Sequence, residues 1–460
     1  MSNKQRKTTI AAIATARGLG GIGIIRVSGP QSVFIGQVIT STTKSFPDRE
    51  AIYTKFLAQD GSIIDIGIAL YFPGPHSFTG EDVLELHGHG GPVVLDCLLQ
   101  RVLGLGAVLA RPGEFSERAF LHNKIDLTQA EAIASLIEAR TEAEAKASIR
   151  SLQGSFSKIV YSIADTLINL RQYIEASIDF PEDELDLLEE AKVGTTINTL
   201  REELEKLLLQ TKQGVLLSDG VKTAIVGQVN AGKSSLLNLL TGTDTAIVTE
   251  IPGTTRDLVK EIVLLDGIKL ELIDTAGLRE TSDVVEREGV QRAFSVIEQA
   301  ELILLIIDGY KHKDFSIFDI STMFPEVWQK VNSEAKLIVV YNKIDLLGKA
   351  AVVGIQEKIP VVKLSSKTGE GKELLLQEIK HQLNWAGTEN VFIARRRHLE
   401  AIQQALIHIK SSALSWQHYG NGEVLAEDLR LAQLSLGEVT GEFGSDDLLD
   451  KIFSEFCIGK

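Results

Sequence analysis

The chain has 460 residues, 44% of them apolar, and a formal net charge of −15. That length implies roughly three domains with ample chain for a core in each, and no run approaches the roughly 18 apolar residues of a membrane span. The acidic balance argues against a broad basic face that grips nucleic acid, and the two cysteines, Cys97 and Cys457, argue against a disulfide framework and for a reducing cytoplasm.

The first seven residues are basic, but the apolar run after them is too short for a signal peptide. Residues 1–120 read as an α/β unit, with strands at 8–14 and 22–27 and a turn at Ser28-Gly29-Pro30. Gly18 to Gly23 spells G-x-G-x-x-G, yet β-prone residues and a turn follow it. A dinucleotide fingerprint must open a helix, so this match is dismissed. His87 and His89 fall on one face of a strand without a third ligand at a metal-site spacing, and read as structural. Pro92 suits the first turn of a helix through Leu103, in which Cys97 is expected as a buried small hydrophobe.

From Thr128 the pattern turns helical. Thr128 and Glu131 form an expected capping box, and Leu127, Ala130, Ala134 and Ile137 follow helical spacing. Helical periodicity runs with interruptions to Gln213, broken at Phe180-Pro181. The acidic residues 182–186 read as a solvated connection. A second helical region occupies 385–460, with Leu399, Ile402, Leu406 and Ile409 as its stripe. The two regions are expected to pack as one discontinuous helical domain (121–213 and 385–460) around an inserted α/β domain (214–384).

Within that insert, Gly227-Gln228-Val229-Asn230-Ala231-Gly232-Lys233-Ser234 fits G-x-x-x-x-G-K-[ST] between a β-branched strand and a helix. Such a loop points successive N–H groups at phosphates. Lys233 would reach the β- and γ-phosphates, and Ser234 would ligate magnesium. The segment Thr249-Glu250-Ile251-Pro252-Gly253-Thr254-Thr255-Arg256-Asp257 is expected to close when GTP is bound, with Thr254 or Thr255 on the magnesium. A hairpin through Asp266-Gly267 leads to Asp274-Thr275-Ala276-Gly277, where Asp274 would hold magnesium and Gly277 sense the γ-phosphate. Leu278 stands where many small GTPases place a water-orienting glutamine, leaving Arg279, Glu280, Asp283 and Glu286 as candidates for that work.

Asn342-Lys343-Ile344-Asp345 follows an apolar strand. The Asp345 carboxylate would accept from both N1–H and the exocyclic amine of guanine, a donor pair that adenine lacks. Ser365-Ser366-Lys367 would complete the base pocket. Together with the phosphate loop, this spacing predicts a Ras-like guanine-nucleotide domain in which Ser235 also belongs to the site.

The four G motifs, their helical flanks, Arg111-Pro112-Gly113-Glu114-Phe115-Ser116-Glu117-Arg118, Lys124-Ile125-Asp126-Leu127-Thr128-Gln129-Ala130-Glu131 and the terminal Cys457-Ile458-Gly459-Lys460 resemble the tRNA modification GTPase family MnmE, also called TrmE. The resemblance implies an N-terminal folate-binding-like domain that makes a homodimer. It also implies G domains that associate in a potassium-dependent way, and action with the flavoprotein MnmG. Together they would place an aminomethyl-type group on C5 of the wobble uridine of tRNA, with a tetrahydrofolate derivative supplying the one-carbon unit.

By the same resemblance Asn230, Thr249, Ile251 and Thr254 are potassium ligands and Ser234 and Thr255 magnesium ligands. Glu286 orients the attacking water, Arg256 and Arg279 serve hydrolysis or its coupling, and Cys457 is a further catalytic candidate. Folate candidates are Arg26, Glu81, Arg118 and Lys124, each with a structural ion pair as the plainer alternative. Val229 and Pro252 depart from the family pattern without removing a ligand. Arg395-Arg396-Arg397-His398 is the clearest basic cluster, expected to pair with the acidic stretch near Glu182 or to contact phosphates. The alternative class is a GTP-dependent switch that times RNA or ribosome assembly without modification chemistry.

Overall fold

The computed structural model describes residues 8–16, 18–42, 46–179, 187–242, 260–265, 267–274, 297–313, 318–324, 335–389, 391–419, 422–442, 446–454, 456 and 458–459. They fall into two compact units. One spans Met1–Ala139, Ser148–Leu208 and Glu400–Lys460, and the other Arg140–Ala147 and Leu209–Leu399.

The first unit contains strands β1 (Ile10–Ile13), β2 (Gly20–Ser28), β3 (Ile52–Leu57), β4 (Ile63–Phe72), β5 (Val83–Gly90) and β6 (Val108–Leu109) in the order β3-β4-β5-β2-β1-β6. Only the β1–β6 pairing is parallel. Gly20 and Gly23 lie within β2, so the glycine-rich match opens a strand and not a helix. Alternation assigns the two faces. Ile25, Val27, Ala69, Leu84 and Leu86 pack beneath helices α1 (Ser32–Thr40) and α2 (Pro92–Leu103). By register, Arg26, Glu85 and His87 share the other face with the exposed Tyr53, Ile66 and Ile68.

Cys97 and the cap of the fourth helix differ from the sequence pattern's expectation. Cys97 is exposed, because α2 buries Leu95, Leu98, Leu99 and Val102 and position 97 falls outside that stripe. After α3 (Glu114–Leu121), helix α4 (Leu127–Glu138) is capped by Asp126 and Gln129 instead of Thr128 and Glu131. Asp126 Oδ1 accepts from the Gln129 N–H at 2.9 Å, and the Asp126 N–H donates to Gln129 Oε1 at 3.0 Å. The helix therefore starts earlier than the pattern suggested, and Thr128 sits inside it and donates to Asp126 at 2.6 Å. Leu127, Ala130 and Ala134 are buried, whereas Ile137 is exposed.

Helices α5 (Glu142–Leu152), α6 (Ser155–Asp179) and α7 (Leu187–Ser218) follow. Helix α6 lies along the helix Gly422–Thr440, and Leu449, Ile452 and Phe453 of the helix Asp446–Ser454 pack on Leu127, Ala130 and Ala134. Helices from both sides of the insert thus share one unit.

The second unit holds β7 (Val221–Gly227), β8 (Lys260–Leu265), β9 (Ile268–Asp274), β10 (Leu302–Asp308), β11 (Lys336–Asn342), β12 (Val352–Gln356) and β13 (Ile359–Lys363), ordered β12-β13-β11-β10-β7-β9-β8. The five inner strands are parallel and the edges β8 and β12 antiparallel. All of β10 is buried, as a parallel strand covered on both faces should be. The β8–β9 hairpin pairs Leu265 with Ile268, as expected.

The segment 391–394 is buried, and the Ala394 carbonyl accepts a hydrogen bond from the Ser218 hydroxyl of α7. This unit therefore runs past the expected boundary at 384 to Leu399. Within it, Arg396 pairs with Asp219 and Glu301. The proposed partner near Glu182 lies outside the described residues. The helix Arg396–Tyr419 buries Ile402, Leu406 and Ile409.

Candidate guanine-nucleotide site

Strand β7 sits where strand order reverses, the usual place for a ligand at the carboxyl ends of parallel strands. The loop after it turns through Asn230 at φ 63° and Gly232 at φ 107° before helix α8 (Lys233–Thr241) begins. Lys233 Nζ lies back across the loop, donating to the carbonyls of Gly227 at 2.7 Å and Gln228 at 3.1 Å. Ser234 and Ser235 occupy the first turn of α8, where backbone N–H groups lack helical acceptors.

Asn342, the last residue of β11, is 1% exposed and stitches three loops together. Its Nδ2 donates to the Ala231 carbonyl at 2.9 Å, and its Oδ1 accepts from the Ser366 N–H at 2.9 Å. Lys343 adopts φ 69°, and its Nζ donates to the Asn230 carbonyl and to Asp308 Oδ2, both at 2.7 Å. Asp345 Oδ1 accepts from the Ser365 hydroxyl at 2.7 Å.

These loops surround a cavity of about 570 Å³ that brings together Gly232, Ser235, Asn342, Lys343, Asp345, Ser366 and Lys367. That volume suits a small-molecule site. Asn238, Leu239 and Leu346 also line it, although no motif marks them. A helical offset of three or four residues from Ser235 was the signal available for the first two. Asp274 ends β9, paired with Ile225 of β7. Thr249, Glu250, Ile251, Pro252, Gly253, Thr254, Thr255, Arg256, Thr275, Ala276, Gly277, Arg279, Glu280, Asp283, Glu286 and Cys457 lie outside the described residues.

The four N-terminal candidates do not converge on one free cluster. Arg118, 7% exposed, pairs with Glu81 at 2.9 Å and Glu114 at 3.0 Å and donates to the Thr8 carbonyl at 2.8 Å. Glu81 also accepts from the Ser28 hydroxyl at 2.8 Å. Arg26 pairs with Glu85 across the strands at 2.9 Å and lies 5.7 and 5.8 Å from the Phe78 and Phe115 rings. It also donates to the Gly459 carbonyl at 3.3 Å, which brings the chain's last described residue to the open sheet face. Lys124 donates to the Pro75 carbonyl at 2.9 Å.

Burial works against the Glu85 charge, but the His87 hydrogen bond and Arg26 outweigh it and hold the carboxyl below its ordinary range. His87 bonds Glu85 and His89 bonds Asp65, so both histidines have carboxylate partners. No metal-ligand cluster occurs among the described residues.

Family models match in two places: the N-terminus of GTP-binding protein TrmE over residues 9–124, and the MnmE helical domain over residues 127–457. The tRNA modification GTPase MnmE of Stutzerimonas stutzeri is 52% identical over 456 residues, covering 99% of each chain. That of Coxiella burnetii is 52% identical over 453 residues and 98% of each chain. Among solved structures, the G domain of the T. maritima FeoB iron transporter aligns at 29% identity over 35% of this chain and 98% of its own, with a TM-score of 0.25.

A phosphate loop after the first strand of a mostly parallel sheet, tied by Asn342 to a base-side cavity, defines a P-loop GTPase. With matches that span nearly its whole length, the chain belongs to the tRNA modification GTPase MnmE family.

Proposed function

We propose that the chain hydrolyses GTP as a subunit of a cytoplasmic tRNA-modifying complex. With the flavoprotein MnmG, that complex would build a (carboxymethyl)aminomethyl group on C5 of the wobble uridine from a folate one-carbon unit. The observation that carries the reading is the Asn342 side chain, which joins the phosphate loop at Ala231 to the base loop at Ser366 around one cavity.

In this reading Asp345 reads the guanine edge, Ser366 and Lys367 flank the base, and the loop from Asn230 to Ser235 holds the phosphates. Ser234, in the first turn of α8 after β7, and Asp274, which ends the neighbouring strand β9, would hold a magnesium ion, which neutralises phosphate charge when bound. Asn230, turned by its positive φ, fits a potassium ligand beside the phosphates. Thr249, Ile251, Thr254 and Thr255 would supply the remaining cation contacts, Glu286 would orient the water, and Arg256 and Arg279 would serve hydrolysis or its coupling.

For the folate, Arg26 has the fitting surroundings: an open sheet face, two aromatic rings and the Gly459 carbonyl. Glu81 and Arg118 neutralise one another in a largely buried ion pair. Lys124 is exposed and able to hold a glutamate tail. The exposed Tyr53, Ile66 and Ile68 support a homodimer.

The reading is tested by nucleoside analysis of tRNA from a strain lacking the gene. Loss of the C5-modified wobble uridine is expected. Unaltered wobble uridines beside accumulating ribosomal precursors would replace this reading with the assembly switch.

A further inference from the structure

Asp308 closes the fully buried β10 and is itself 5% exposed. A buried carboxylate is costly unless its oxygens are met, and here both are. Oδ1 accepts from the Tyr310 N–H at 3.1 Å and the Lys311 N–H at 3.3 Å, while Oδ2 accepts from Lys343 Nζ at 2.7 Å. The turn that supplies those amides is itself pinned, because the Tyr341 hydroxyl bridges the carbonyls of Gly309 at 3.0 Å and His312 at 2.6 Å. Burial works against the Asp308 charge, yet Lys343 and the two amides keep the carboxyl below its ordinary range, so it is ionised at neutral pH.

Lys343 needs such a support. Its backbone is left-handed, at φ 69°, which a lysine adopts only at some cost. Its ammonium sits on a flexible four-carbon stem with many alternative rotamers. The same Nζ donates to the Asn230 carbonyl in the phosphate loop, so one ammonium is clamped between a carboxylate behind it and the loop in front.

We propose that Asp308 is a positioning residue of the guanine-nucleotide site: its carboxylate fixes Lys343 at the wall of the cavity and, through Lys343, fixes the phosphate loop at Asn230. This rests on reading that cavity as the nucleotide site. Asp308 touches no nucleotide atom in this scheme. Its effect falls on how much of the site is assembled before the ligand arrives, so it belongs to binding more than to the chemical step.

The test uses the full chain and a fluorescent GDP analogue. Asp308→Asn keeps the side chain's size and an acceptor for the two amides, but removes the charged acceptor facing Lys343. Affinity is expected to fall roughly tenfold or more, the scale of one charge-assisted hydrogen bond, while kcat at saturating GTP stays within about twofold. Because Asp308 acts through Lys343, the double variant with Lys343→Ala should bind no more weakly than Lys343→Ala alone. Wild-type affinity in Asp308→Asn, or additive losses in the double variant, would overturn the proposal.

If Asp308→Asn does not fold, hydrogen exchange on the wild type decides. GDP should slow exchange across residues 309–312, and unchanged exchange there would overturn it. A wild-type chain that binds no guanine nucleotide at all would instead sink the reading of the site itself.

Discussion

Lys343 and Asp345, which both line the cavity, were legible as candidates because N-K-x-D after an apolar strand carries its own chemistry. Asp308 was not, since an aspartate ending a buried strand has no motif and its partner lies 35 positions away in the chain. Ion pairs of this kind separate roles that residue type alone merges. Arg26 and Arg118 were equal candidates in sequence, yet Arg118 is enclosed by Glu81 and Glu114 while Arg26 reaches the open face. Glu85 gives this a measurable form. Its folded value lies below the ordinary 4.5, so its contacts stabilise the fold fully above that pH, and the contribution is lost as pH falls through the folded value. Glu85→Gln should therefore flatten the acid limb of the stability curve below pH 4.5, and an unchanged limb would remove Arg26 and His87 as its partners in solution. Glu286→Ala should spare GDP binding and depress GTP turnover strongly. Full turnover would return the water-orienting role to Arg279, Glu280 or Asp283.

Elements were readable where period and punctuation agreed. The hairpin on either side of Gly267, the strand–loop–helix at Gly227 and the helix starting at Pro92 all follow from local chemistry. Cys97 was misjudged by residue type, although the spacing of Leu95, Leu98 and Val102 already places it off the buried stripe. At α4 two overlapping capping patterns competed, and Asp126 won because its extended backbone aims a carboxylate at the Gln129 amide. Asp126→Ala should cost about 1 kcal/mol, read as a lower midpoint in thermal or urea unfolding. A midpoint equal to the wild type would mean that Thr128 or water takes over the cap.

The insertion of a nucleotide domain between two helical segments was legible because helical periodicity resumes after the β-rich stretch. Its far boundary was not, because residues 391–394 are apolar without a period and their burial depends on contacts with α7, distant in sequence. If two G domains complete one catalytic site, GTP turnover per chain should rise with protein concentration in potassium and fall sharply when sodium replaces it. Equal turnover in both salts would remove Asn230 as a cation ligand. Gly232 adds a constraint of another kind. A Cβ there would come within 2.2 Å of Asn342 Nδ2, so the glycine of the phosphate motif also makes room for the side chain that reaches it from the end of β11. The two motifs, 110 residues apart along the chain, are therefore coupled: a side chain at 232 would displace the Asn342 amide that bonds Ala231 and Ser366.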